Sequence, residues 1–168
     1  MKMNAFLGAA SLAFLLCVSA LPSSAANTAA TTAPSKVKAA SACSLLTQAD
    51  IQAAVGAPIG AGTPSTDTVC TWMVATGSNA SVKYVTLQLN DLASYDGGQQ
   101  VAKMSSAVKL TTANAGSDGS YYLAVGNQVG LVVKKGLVSF KVAVYATVPV
   151  EKKEAMELPL AQKVVGKI

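Results

Sequence analysis

The sequence predicts an α+β domain, a single antiparallel sheet of about five strands with helices packed on one face, in the order α-β-β-α-β-β-β-α. Three features carry that expectation: apolar segments of strand length, short glycine-bearing links between the last of them, and helix-period segments at both ends of the domain.

The first helix is announced by Thr47, an oxygen-bearing cap residue, with Asp50 three positions on, where a carboxylate meets the positive end of the helix dipole. Ile51, Ala54 and Val55 repeat at helical spacing, and Gly56 with Pro58 stops the run. A loop of Gly, Pro and Thr leads to Val69–Val74, which alternates like a strand with Cys70, Trp72 and Val74 on one face. Thr76-Gly77-Ser78-Asn79 then turns the chain into Val82–Asn90, where Val85, Leu87 and Leu89 face one way and Tyr84, Thr86 and Gln88 the other. Asp96-Gly97-Gly98 opens a weaker second helix that runs to about Ser106, with Val101 and Met104 as its apolar positions.

Three strands follow, Tyr121–Val125, Val129–Lys134 and Leu137–Ala146, joined by Gly126-Asn127-Gln128 and Lys135-Gly136 as a meander of hairpins. On the last, Val138, Phe140, Val142 and Val144 form the core side and Ser139, Lys141, Ala143 and Tyr145 the outward side. Pro149 suits a first helical turn and leads into a helix over 151–167, with Met156, Leu160 and Val164 on one stripe and a kink expected at Pro159.

Ahead of this domain, Lys2 supplies a short positive region, the run from Ala5 to Leu16 is apolar apart from Ser11, and Ser23-Ser24-Ala25 offers small residues at a cleavage site. Residues 1–25 read as a secretory signal cut after Ala25 or Ala26. The competing readings are an uncleaved anchor over Met3–Leu21 and a lipid-modified Cys17, the second disfavoured by the bulky Leu16 before it. Residues 26–42 are Ala, Thr, Ser, Pro and Lys without apolar periodicity, a flexible linker, and 43–168 form a single domain with no further membrane span.

Without Lys2, the exported part carries twelve lysines against eight carboxylates and contains neither arginine nor histidine. Nucleic-acid binding is disfavoured, because the lysines are scattered and the guanidinium forks that read phosphate and guanine are missing. Two cysteines remain, Cys43 and Cys70, in a chain bound for an oxidising compartment, and they are expected to pair. Closing a loop of about 28 residues is worth roughly 3.5 kcal/mol in the chain-entropy view. A free or metal-binding thiol pair is the alternative, without a histidine or third sulfur to support it.

Cys43-Ser44-Leu45-Leu46-Thr47-Gln48-Ala49-Asp50-Ile51, the following Gly56-Ala57-Pro58, and Val69-Cys70-Thr71-Trp72 resemble the start of small exported bacterial proteins of unknown function. In those families a Cys-x-Leu-Leu-Thr helix precedes a glycine and a second cysteine beside an aromatic residue. The resemblance covers residues 43–72 and implies a disulfide-stapled envelope domain. It brings no catalytic residue with it, and many members of the group are lipoproteins, whereas this signal lacks a good lipid-attachment site.

No constellation for catalysis emerges. Without histidine there is no Ser-His or Cys-His pair and no histidine-based metal site. Ser106-Ala107-Val108-Lys109 fits S-x-x-K, with Ser117-Asp118-Gly119 and Lys134-Lys135-Gly136 as imperfect companions, but the penicillin-recognising enzymes that use this trio need a far larger scaffold. Asp91, Asp96 and Asp118 read as turn formers in preference to a calcium site, Gly97-Gly98 and Gly126 as hinges and turns, and Asn79-Ala80-Ser81 as a hairpin turn before a glycosylation acceptor. No cofactor is implied.

The positive clue is the outward sheet face, where Tyr84 and Tyr145 accompany Thr86, Gln88, Ser139 and Lys141, since tyrosine rings supply contact area at low entropy cost. The expectation is an exported, periplasmic or secreted, non-enzymatic binding or structural module for a protein or envelope component. A small-ligand carrier is the alternative, and a Ser/Lys or carboxylate hydrolase a more distant one.

Overall fold

The computed structural model describes residues 41–75 and 81–168. The elements are α1 (Ala42–Leu45), α2 (Gln48–Val55), β1 (Ile59–Thr66), β2 (Val69–Val74), β3 (Val82–Asn90), α3 (Leu92–Met104), β4 (Val108–Thr112), β5 (Gly119–Val125), β6 (Gln128–Lys135), β7 (Val138–Ala146) and α4 (Val150–Val165). All strands join one antiparallel sheet in the order β1-β2-β3-β7-β6-β5-β4. The expected signal and linker up to residue 40, the turn at 76–79 and the acceptor triplet at Asn79 lie outside the described residues.

Local chemistry starts α2 as the sequence predicts. Thr47 accepts the Asp50 N–H through Oγ1 at 3.1 Å while the Asp50 carboxylate accepts the Thr47 N–H at 3.0 Å, so two otherwise orphaned donors are satisfied at once. Gly56 ends the helix at φ 67°, a left-handed conformation that a side chain would strain. The β5–β6–β7 meander turns at Gly126 and Gly136, both also at positive φ.

The core lies on one sheet face. Val85, Leu87, Leu131, Val133, Phe140 and Val142 are buried there against Ile51 and Val55 of α2 and Leu160, Ala161 and Val164 of α4. Cys43 on α1 is bonded to Cys70 on β2 across a Cα–Cα distance of 5.0 Å, closing a sequence separation of 27 residues. Trp72 is buried two residues from Cys70, as the alternation of β2 requires.

The sheet is wider than predicted, seven strands in place of about five, because β1 forms in the stretch expected to be a loop and β4 in a stretch for which no element is predicted. β1 forms from the Gly, Pro and Thr stretch and β4 from the segment after α3, and both are mostly exposed. Edge strands need only backbone pairing on one side, so neither shows the apolar alternation by which buried strands are recognised. On β1, Gly62 lies directly over the staple: a Cβ there would come within 2.6 Å of Trp72 Nε1 and 2.9 Å of Cys70 Sγ. The added α1 is a single turn.

Helices also occupy both faces, not one. On β5, Tyr122 points to α4, donating its hydroxyl to the Glu154 carbonyl at 3.0 Å, while its neighbour Tyr121 points to α3, donating to the Tyr95 carbonyl at 2.7 Å. Successive strand residues face opposite sides, so α3 lies across the sheet from α4. α3 also begins earlier than expected, capped by Asp91, which accepts the Ser94 N–H at 2.9 Å. Gly97 and Gly98 therefore stand inside a helix and form neither hinge nor turn. The path explains the placement: α3 carries the chain from β3, near the middle of the sheet, to β4 at the far edge. Thirteen residues at about 1.5 Å each reach about 20 Å, the width of four strand spacings.

Candidate functional site

α3 crosses the second face along one end and leaves the other end open. Under α3, Tyr95 packs on Tyr121 with ring centroids 5.0 Å apart, and Val132 completes this small cluster. Burial raises the Tyr121 hydroxyl to about 12, and the neighbouring Tyr95 and Asp96 add to the shift. Ser139, at the same end, is fully buried, with no partner for its hydroxyl among the described residues, so it is not part of the outward surface. Ala143 is buried too. These two depart from the outward pattern because the second face is itself partly covered, which period-2 alternation cannot show.

The remaining predicted surface residues run from the row where Gln88 and Lys141 pair, which also holds Val132 and Tyr121, into the open end. Register pairs Met73 with Tyr84 and Tyr84 with Tyr145 in one cross-strand row, Thr71 with Thr86 and Thr86 with Ala143 in the next, and Gln88 with Lys141 in a third. The Tyr84 and Tyr145 rings stack at 4.2 Å between centroids and 18° between planes. Met73 beside them is 55% exposed, and Val125 across the sheet is 52% exposed. An apolar, aromatic band thus crosses this end with Thr71, Thr86, Gln88 and Lys141 as its polar company.

Between β7 and β5 the band contains a dip of about 100 Å³ lined by Leu123, Val125, Gln128, Val129, Lys141 and Tyr145. Two features create it. Gly130 has no side chain, so the Lys141 stem can lie flat across β6 and form the floor of the dip. The β6–β7 ladder has its last pair at Leu131 and Val142, although β6 begins at Gln128 and β7 continues to Ala146. Val129, whose side chain belongs to the α4-side core, borders the dip because the strands part there.

α4 meets the same parting from the other side. Glu157 Oε1 accepts the Val144 N–H at 2.9 Å, and Lys153, one turn earlier, donates to the Asn127 carbonyl in the β5–β6 turn. Both side chains are fully buried, and Glu157 Oε2 has no partner among the described residues. Desolvation lifts the Glu157 carboxyl to about 8 against the opposing pull of the Val144 N–H and the Lys141 and Lys153 charges, so at neutral pH it holds its proton. The sequence reading missed this pair. Lys153, Glu157, Leu160 and Val164 follow helical spacing, but the stripe read from the sequence runs through Met156, which is only partly buried, and includes neither charged residue.

No family model, curated protein or solved structure matches this chain.

The sites weighed for other chemistry are not assembled. Ser106 lies in the turn after α3 and Lys109 on the β4 edge, both exposed. Asp118 accepts the Gly136 N–H at 2.6 Å and so ties the β6–β7 turn, while Asp91 is spent capping α3. Among the described residues no group of three or more His, Cys, Asp or Glu side chains is placed to hold a metal ion, and no helix is long and apolar enough to cross a membrane. A larger groove of about 470 Å³ runs between α2 and α4, floored by alanines, but its charged residues are already engaged: Asp50 caps α2 and lies 3.5 Å from Lys163.

Proposed function

We propose that this chain is an exported, non-enzymatic binding module of a bacterial envelope or its surroundings, and that it holds its partner on the open end of the second sheet face through Tyr84, Thr86, Gln88, Lys141 and Tyr145. The stacked Tyr84–Tyr145 pair carries the proposal. It sets two rings on a half-covered face beside exposed Met73 and Val125, where a partner would remove apolar area from water at little side-chain entropy cost. Export is supported by the signal-like start of the sequence together with the Cys43–Cys70 bond, which belongs in an oxidising compartment.

The test is affinity capture from the envelope fraction by the exported protein and by its Tyr84→Ser/Tyr145→Ser variant, with circular dichroism to confirm that both are folded. Loss of a partner in the folded variant is the expected result. Equal recovery by both would remove the sheet face from consideration.

A further inference from the structure

The dip beside Tyr145 has a chemistry of its own. β3 lies on one side of β7 and β6 on the other, so Tyr145 turns one ring face to Tyr84 and the opposite face to the dip. Leu123 and Val125 line it from β5, Gln128 from the start of β6, and Lys141 is the one charged residue in the lining. Among the described residues the Lys141 ammonium has neither a hydrogen bond nor a carboxylate within ion-pair distance. Its stem lies across Gly130, which sets the ammonium beside the dip.

Resting on the reading of this face as a binding surface, we infer that the dip takes a single planar ring bearing a carboxylate, the ring against the free face of Tyr145 and the carboxylate on the Lys141 ammonium. Size selects the ring. A volume of about 100 Å³ is below the roughly 300 Å³ at which drug-sized pockets begin, and is of the order of a cavity that accepts benzene. A flat group gains an offset stack on Tyr145 and aliphatic contact with Leu123 and Val125, which an alkyl chain would not match. Charge selects the carboxylate, because Lys141 supplies donors without acceptors.

Glu157 gives this site a pH signature. It lies on the α4 side of the parting strands, close enough for the Lys141 charge to act on it and for its own charge to act on Tyr145, with Lys153 and Glu154 on its own helix and Tyr122 on β5 as the other titratable groups facing it. Protonated, it leaves the positive field of Lys141 intact. Ionised above about 8, it offsets that field, while burial, which raises the Tyr145 hydroxyl, opposes the ionisation of that ring. Affinity for an anion therefore falls as pH rises through this range.

Benzoate titrated into the purified protein and followed by NMR of the Tyr145 ring and the Lys141 ε-methylene provides the test. Saturable shifts at both groups are expected at pH 6.5. Binding should weaken at pH 9.5, Lys141→Met should lower affinity on the order of tenfold or more, and benzyl alcohol and acetate should each bind more weakly than benzoate. Glu157→Gln, which keeps an acceptor for the Val144 N–H, should bind equally at both pH values. Acetate matching benzoate, or a Lys141→Met variant of unchanged affinity, would overturn the assignment. So would the absence of any shift with benzoate. If benzoate fails while Tyr84→Ser/Tyr145→Ser still abolishes partner capture, the ligand class falls and the binding face stands; if both experiments fail, both readings fall.

Discussion

Glu157 on α4 accepts the backbone N–H of Val144 on β7 at 2.9 Å, just beyond the last residue pair that joins β7 to β6. A side chain from the helical layer thus supplies an acceptor where the sheet ladder has parted. The arrangement fixes α4 against β7, but it buries a carboxyl whose second oxygen has no partner among the described residues, and such a group costs free energy unless it stays neutral.

The pH dependence follows from the sign of that shift. In the unfolded chain Glu157 loses its proton near pH 4.3, and in the folded protein near 8. Between these values the folded state binds the extra proton, so its stabilising share is complete below the lower value and is lost as pH rises through the upper one. Glu157→Gln removes this loss. Thermal unfolding between pH 4 and 9 should show the variant gaining on the parent protein with rising pH, by several kcal/mol at pH 8, with the difference levelling off above that.

The Cys43–Cys70 bond joins α1, a single helical turn, to the interior strand β2. α1 is too short to hold itself in place, so the covalent link, together with the bonds from the Ala42 N–H to the Asp67 carbonyl and from Lys167 to the Leu45 carbonyl, keeps Ala42 and Leu45 in the core. Cys43→Ala/Cys70→Ala should lower stability by about 3 kcal/mol, read as a drop in the denaturant midpoint, and reducing the parent protein should reproduce the drop.

Gly97 and Gly98 are neighbours on α3 with opposite expected responses to alanine. A Cβ at Gly97 meets nothing within 4 Å, so Gly97→Ala should stabilise by about 0.5–1 kcal/mol through helix propensity and a less flexible unfolded chain. At Gly98 the added carbon runs into the Tyr121 hydroxyl, which is held by its hydrogen bond to the Tyr95 carbonyl. Gly98→Ala should therefore destabilise by roughly 1–3 kcal/mol. Chemical denaturation of the two single variants checks both signs.

These glycines show where the sequence was legible and where it was not. Signals that act within a few residues were read correctly: the Thr47–Asp50 box, the stop at Gly56, and the turns at Gly126 and Gly136. Gly98 looked like a turn because glycine is usually used for its backbone freedom, whereas here it is used for its missing side chain, a requirement set by Tyr121 on a strand 23 positions away. Tyr84, Thr86, Gln88, Lys141 and Tyr145 were assigned to one face correctly because alternation within β3 and β7 suffices for that. The dip needed the parting of β6 from β7, and the buried charges needed the α4 face, neither of which has a period in the sequence.

Asp50 should govern the acid side of the stability curve. Its carboxylate accepts the Thr47 N–H and the Thr47 hydroxyl, and these bonds, chiefly the backbone one, hold its pKa below the ordinary value, with Lys163 and Lys167 adding a weaker attraction. A lowered carboxyl stabilises above the unfolded value and loses that contribution as pH falls through the folded one, the reverse of Glu157. Thr47→Ala deletes the hydroxyl half of the box and should cost about 1 kcal/mol at neutral pH. Because it also relaxes Asp50 toward its ordinary value, the deficit should shrink on acidification below about pH 4. The double variant Thr47→Ala/Glu157→Gln should then show a flatter dependence on both sides. The two sites belong to different elements and share no partner, so their effects should add. A deficit for Thr47→Ala that stayed constant down to pH 2.5 would mean that the cap acts without its carboxylate.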